Sequence, residues 1–325
     1  MFFKIKKLEN LDLITVKTSS NFEVVLSDLG AGIYKIIFND KVMNYGPKDI
    51  EEYAKIDQYY GKTIGRFAGR IKNANWNGIQ FKANENSNLL HSGKHGVHNK
   101  RFKYSVKETT NCIKVVFSTV DSGKKSLFPG KFQLKVTYKI YQNNKIEILF
   151  ASKCNEDCIV NLTNHAYYCL GSKHLDELKM KINSSSYVAV DNELLATEIK
   201  SVDKVFDFRK FKRITRDIFD ENLQAATSTG YDHLFLFDTK NAAKPQLFLK
   251  NDEFSMKIYT DFEAIQFYSN CYPQTFINLN NEQDGLYKAA ALEPQFNTFK
   301  IENTLLKANE IRKNRIIYKF DSIKK

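Results

Sequence analysis

Proton transfer needs an acceptor and a donor, and two stretches of this 325-residue chain offer them in unusual settings. One is Asn161-Leu162-Thr163-Asn164-His165-Ala166-Tyr167-Tyr168-Cys169-Leu170, which packs amides, a hydroxyl, an imidazole and two phenols close together. On a strand, Asn161, Thr163, His165 and Tyr167 would share one face. That face is wholly polar or polar-tipped, which suits a wet concave surface better than a packed interior. An imidazole there can give or take a proton near neutral pH; a satisfied, partly buried histidine is the plain alternative. The other stretch is Ala289-Ala290-Ala291-Leu292-Glu293-Pro294-Gln295. A strand that is apolar up to one carboxylate carries that carboxylate to a rim or a site. Partial burial would raise its pKa and make it a better base.

Three further stretches carry polar chemistry. Gly61 to Ile71 alternates glycines, Arg66 and Arg70 with apolar residues. Its glycines permit close backbone approach, and a guanidinium fork can hold hydroxyls or carboxylates. No Gly-Lys-Ser/Thr closes it, so it is not a phosphate loop. Gly230-Tyr231-Asp232-His233 places an acid at the start of an apolar run, either as a strand cap or as a site group. His91, His95 and His98 lie within Asn88 to His98. Intervening glycines break the helix that would align them as metal ligands, so surface or substrate-binding imidazoles are the better reading.

The elements that must position these groups read as strands. Phe22 to Phe38 is two strands broken by Gly30-Ala31-Gly32, with a turn at Asn39-Asp40. Phe132 to Ile140 alternates apolar and polar residues, and Asn143-Asn144 turns the chain into Lys145 to Phe150. Gln246 to Lys250, Asn251-Asp252 and Phe254 to Tyr259 repeat the recipe. Only residues 47–59, opened by Pro47, and 215–224, with Thr215 as a possible N-cap, look helical. Many short strands with few helices predict an all-β fold, a sandwich or barrel, and no linker divides residues 1–325, so one domain is expected.

Composition bounds the rest. Hydrophobic residues make up 42% and aromatics 13%, enough for a large core. The formal charge is +12, yet no block of five basic residues occurs and most lysines sit singly on alternating strand faces. They read as solvated surface, so neither nucleic acid nor a membrane is an expected partner. Five cysteines form no regular framework, and Cys154 and Cys158 do not make a zinc spacing. No signal-like run or stretch of ~18 apolar residues occurs, so a reduced cytoplasmic location is expected.

In order along the chain, these stretches resemble the aldose 1-epimerase (galactose mutarotase) family from about Phe22 to Phe320. Gly65-Arg66-Phe67-Ala68-Gly69-Arg70-Ile71 is similar to its Gly-Arg-x-Ala-Asn-Arg-Ile, and Asn88-Leu89-Leu90-His91-Ser92-Gly93 to its Asn-x-Leu-His-Gly-Gly. Asn161 to Leu170 is close to its Asn-Leu-Thr-Asn-His-Ser-Tyr-Phe-Asn-Leu. Gly230-Tyr231-Asp232-His233, Gln266-Phe267-Tyr268 and Leu292-Glu293-Pro294-Gln295 complete the set. The resemblance implies a large antiparallel β-sandwich with few short helices and an open sugar cleft. It also implies interconversion of α and β anomers of an aldohexose such as galactose or glucose, without metal or cofactor, by a monomer or homodimer.

Opening an aldose ring removes the proton of the C1 hydroxyl while protonating the ring oxygen, so one base and one acid suffice. By the resemblance, Glu293 is the base and His165 the acid, His91 adds an imidazole, and Arg70, Asp232 and Gln266 hold sugar hydroxyls. The chain departs from the family at Gly69, Cys169, Asn297-Thr298 and Ala196-Thr197-Glu198, where Asn, Asn, Pro-Asp and Pro-Thr-Gly are usual. These departures bear on sugar preference and rate. A hexose-6-phosphate 1-epimerase, which would need an arginine cluster, and a noncatalytic sugar-binding protein on the same fold are the alternatives.

Overall fold

Alternation decides the longest strands. In Phe132–Tyr141, the side chains of Phe132, Leu134, Val136, Tyr138 and Ile140 are buried, while Gln133 and Lys135 are exposed. Lys145–Cys154 pairs back antiparallel, with Tyr141 opposite Lys145, and Asn144 takes the positive φ of 60° that closes the turn. The structure is a computed structural model and describes residues 1–56, 58–227 and 230–323.

Within those residues every named strand pairing is antiparallel. A nine-stranded sheet runs, in spatial order, through Lys103–Glu108, Cys112–Asp121, Phe132–Tyr141, Lys145–Cys154 and Ile311–Ser322. It continues through Phe254–Thr260, Leu247–Lys250, Lys179–Ile182 and Lys212–Arg213. A seven-stranded sheet runs through Ala196–Ser201, Ser186–Val190, Asp232–Leu236, Ala264–Tyr268, Ala290–Gln295, Tyr167–Tyr168 and Asn44–Tyr45. Phe2–Lys7 through Lys41–Val42 form a five-stranded sheet.

The two large sheets form a sandwich. Val136, Ile148, Ile258 and Tyr318 from one share a core with Phe235, Phe267, Ala290 and Leu292 from the other. Burying each such large side chain contributes roughly 1.5–3 kcal/mol, so the sheets are held as a rigid pair. Because successive residues alternate faces, Leu292 in the core obliges Glu293 to point out of the seven-stranded sheet, on the side away from the sandwich interior.

The helical expectations need correction. The first helix is Ile50–Lys55, capped by the Asp49 carboxylate rather than opened by Pro47, and Asp57 lies outside the described residues. Thr215 belongs to a 3₁₀ turn, Ile214–Asp217. The following α-helix, Glu221–Thr227, has Asp220 accepting from the Asn222 N–H at its start. In both places an aspartate just before the helix accepts from a first-turn N–H, three residues on at Asp49 and two at Asp220.

Candidate functional site

The seven-stranded sheet fixes three site groups by register. Leu234, Gln266 and Glu293 stand directly opposite one another on adjacent strands, and Asp232 stands opposite Tyr268 in the next row on that face. Gln266 Nε2 donates to Asp232 Oδ1 at 2.6 Å, and Asp232 Oδ2 lies 3.6 Å from Arg70 Nη1. The Arg70 fork is itself held by Glu85, at 2.6 and 2.9 Å. Glu85 was not expected from the sequence, since nothing in its spacing from Arg70 marks it as a partner.

His165 arrives by a different route. Thr163–Asn164 pairs with Thr63–Ile64, and the strand expected over residues 161–170 is interrupted before Tyr167–Tyr168. His165 sits in the gap, its N–H donating to Lys62 O and its carbonyl accepting from Gly61 N, both at 2.9 Å. Gly61 has φ +68°, and an added Cβ there would fall 1.8 Å from Ile33 O, so only glycine allows the chain to make this contact. The polar face is only half a wet surface, a correction to the sequence reading. Asn161 and Thr163 are fully buried, and Asn161 bonds Ala68 O and Phe296 N instead. His165 and Tyr167 do reach the cleft.

These routes meet. His165 Nε2 is 3.3 Å from Glu293 Oε1, with His165 4% and Glu293 2% exposed. His91 completes a cluster in which one nitrogen or oxygen of each of the three residues lies within 4.8 Å of the others. Burial pushes Glu293 well above the usual carboxylate range, and the charge of Asp232 adds to this. Burial holds His165 neutral, down to about 3, and lowers His91 well below its ordinary value. Burial also raises Asp232 against the opposing pull of Arg70.

His91 is locked by two bonds to one glycine. Its N–H donates to Gly69 O at 3.0 Å, and Gly69 N–H donates to its Nδ1 at 3.1 Å. A backbone N–H can only donate, so Nδ1 is bare and the proton of the neutral ring sits on Nε2. His91 accepts a strained left-handed backbone, φ 51°, to hold this pose. His91, His165 and Glu293 are close enough together to ligate a metal, and the lock bears on whether His91 would do so. Ligation through Nε2 would move the proton to Nδ1, where it would face another donor, whereas metal-bound histidines give that proton to an acceptor. His95 is exposed and His98 packs behind Tyr59, at 5.0 Å between rings, so the three histidines do not form a ligand set.

All six residues singled out from the sequence, His91, Arg70, His165, Asp232, Gln266 and Glu293, line one open cleft of about 1160 Å³. Arg66 does not. It is buried against Asp121 at 2.9 Å and serves the core. Tyr59 was missed: its ring lies 4.5 Å from His91 and 5.3 Å from His165, which are themselves 5.3 Å apart, so the three rings pack as a triangle. Two of the departures face each other, since a Cβ added at Gly69 would lie 3.3 Å from Thr298 Cγ2. The Thr298 methyl thus borders the space that a longer residue at 69 would fill. Cys169 is buried beside Val42 O and Asn44 O, away from the cleft lining.

Comparison with known proteins identifies the family. The family model "Aldose 1-epimerase" matches residues 12–319. An aldose 1-epimerase of Haemophilus influenzae is 31% identical over 300 residues, covering 87% of this chain and 86% of that protein. A galactose mutarotase of Sus scrofa is 27% identical, covering 71% and 67%. The solved galactose 1-epimerase of Lactobacillus acidophilus shares the fold, with a TM-score of 0.90 at 24% identity over 99% and 98% of the two chains. By this match along nearly its whole length, the chain belongs to the aldose 1-epimerase family of isomerases.

Proposed function

We propose that this protein interconverts the α and β anomers of a neutral aldohexose, such as galactose or glucose, with Glu293 as base and His165 as acid. The observation that carries the reading is the buried His165–Glu293 pair at 3.3 Å on the cleft floor.

The pair is neutral as a whole, which is why it can be buried without an ion-pair partner. A protonated Glu293 beside a neutral His165 holds the same protons as a carboxylate beside an imidazolium, and one proton step across the contact interconverts them. The second form is the reactive one. A sugar C1 hydroxyl offering its proton to Glu293, and a ring oxygen accepting from His165, would favour it over the first. Glu293 takes the C1 proton as the C1–ring-oxygen bond breaks, and His165 gives its proton to the departing oxygen. The open aldehyde turns about C1–C2 and the two transfers reverse on the other face, so no proton is gained or lost overall.

Glu293 Oε2 has no hydrogen-bond partner among the described residues, acceptor capacity that a sugar hydroxyl would fill. His91, fixed as an Nε2 donor, supports charge developing on a sugar oxygen without exchanging protons. Arg70, Asp232 and Gln266 form one connected row of donors and acceptors suited to vicinal hydroxyls, and contribute by positioning. The phosphorylated alternative fares worse. The cleft lining holds the carboxylates Glu85, Glu193, Asp232 and Glu293 against Arg70 and Lys94, with Arg70 already engaged.

Polarimetry or NMR of freshly dissolved α-galactose and α-glucose with catalytic protein tests the reading. Anomerisation should be accelerated for neutral sugars above their 6-phosphates. Unaltered spontaneous rates across a sugar panel, with saturable binding, would leave a noncatalytic sugar-binding protein.

A further inference from the structure

Alternation along strands also sorts charge by face, and on the nine-stranded sheet the result is one-sided. Its side chains pointing away from the core include fifteen lysines and arginines against two carboxylates, Glu147 and Asp321. That surplus of thirteen matches the +12 of the whole chain, so the rest of the molecule is close to neutral. Lysines that look scattered in sequence are gathered by register onto one face.

The arrangement runs against stability. Lys114 stands directly between Lys107 and Lys139 on the neighbouring strands. Lys319 stands between Lys145 and Lys257, and Lys179 between Lys250 and Arg213. Directly opposed like charges are destabilising. The two carboxylates are each shared, Glu147 by Lys139 and Arg315 and Asp321 by Lys257 and Lys319, and so relieve only part of it. A face that keeps three such rows has a use for concentrated positive charge.

We propose that this face docks the protein onto an anionic lipid bilayer. Nine strands at about 4.8 Å spacing make a face roughly 40 Å wide, over which the cations are spread rather than lined up in a groove. Thirteen of the fifteen are lysines, flexible point charges suited to a diffuse layer of phosphate headgroups. Nucleic-acid readers rely more on arginine forks and exposed aromatic platforms. At one end of the face Val120 and Ile311, 51% and 61% exposed, share a cross-strand row and offer apolar contact. The sugar cleft opens on the outer side of the other sheet, so docking would leave it facing the solution.

The test uses the intact protein and a variant lacking the centre of each row, Lys114→Gln, Lys319→Gln and Lys179→Gln. Sedimentation with phosphatidylcholine vesicles should capture little protein. Vesicles containing about a third phosphatidylglycerol should capture it at low salt and release it near 0.5 M, where the screening length falls to roughly 4 Å. The variant should bind on the order of 100-fold more weakly, with unchanged anomerisation and a melting temperature at least as high. Equal capture by both vesicle types, or equal binding by the variant, overturns the proposal. So does tight binding of a uridine homopolymer at physiological salt without vesicle binding, which would make the face a nucleic-acid surface.

Discussion

His165 and Glu293 touch at 3.3 Å although one sits in a break between strands and the other within a strand. Glu293 is set by the alternation of Ala290–Gln295 against the sandwich core, and His165 by two backbone bonds to Gly61 and Lys62. The two segments are also paired to each other two residues away, Tyr167 opposite Ala291, so the contact is built by the scaffold and need not be assembled by substrate. The scaffold therefore bears the desolvation cost of both groups in advance, and that cost has measurable consequences.

The first is acid lability. His98, His165 and His233 are buried and each held down to about 3, and His91 is also lowered well below 6.5, in every case chiefly by burial. Between those values and 6.5 the unfolded chain binds more protons than the folded one, so stability falls as pH drops through that window. Each unit costs up to about 1.4 kcal/mol per histidine. Melting temperature should drop steeply from pH 6.5 to 4, and His233→Gln, away from the cleft lining, should flatten the slope. A melting temperature level across that range would mean these rings charge freely in the fold.

The second concerns Asp232. It bonds Gln266 and lies beside Arg70, and on the proposed reading it positions sugar hydroxyls, so Asp232→Asn should weaken sugar binding and turnover together. The shape of the pH–rate profile should stay as it is, because in the proposed mechanism the protons move through Glu293 and His165. A displaced limb in the mutant would instead make Asp232 the proton acceptor.

Much of this was readable from residue types. Strand alternation gave the hairpins at Asn144 and Asn251, because inward and outward residues differ sharply there. Motif order gave all six cleft residues. What stayed hidden depends on three-dimensional pairing. Arg66 and Arg70 look alike in Gly65 to Ile71, yet Arg66 turns to Asp121 and Arg70 to Glu85, and no local pattern distinguishes them. Asn161 and His165 share a strand parity, yet the chain leaves the strand between Asn164 and Tyr167 and parity stops applying. The lysine rows were invisible for the same reason, since register lies between strands.

The third prediction follows from the His91 lock. With Nδ1 accepting from Gly69 N–H, His91 Nε2 carries a proton and offers no lone pair to a cation. Anomerase activity should survive exhaustive chelation, and added zinc should not raise it. Activity lost to a chelator and restored by zinc alone would show that the ring can turn over and ligate, returning His91, His165 and Glu293 to a metal site.

The last prediction bears on the two roles directly. Glu293→Gln keeps the shape of the side chain and its hydrogen bonding but cannot accept a proton, while His165→Asn keeps an amide donor without a titratable ring. A positioned acid or base typically contributes ~10²–10⁴-fold, so each mutant should lose at least about 100-fold in kcat with sugar binding largely retained. Stability should shift the other way. Glu293 is raised far above the usual carboxylate range, so at alkaline pH the wild type carries a buried charge that the amide lacks. Glu293→Gln should therefore melt no lower than the parent there, and higher as pH rises. Because one proton step links the two groups, the double mutant should lose less than the product of the single losses. Multiplying losses would mean that the groups act in separate steps. If folded Glu293→Gln anomerises galactose within a few-fold of the parent, Glu293 is not the base and the pair is not the engine of the reaction.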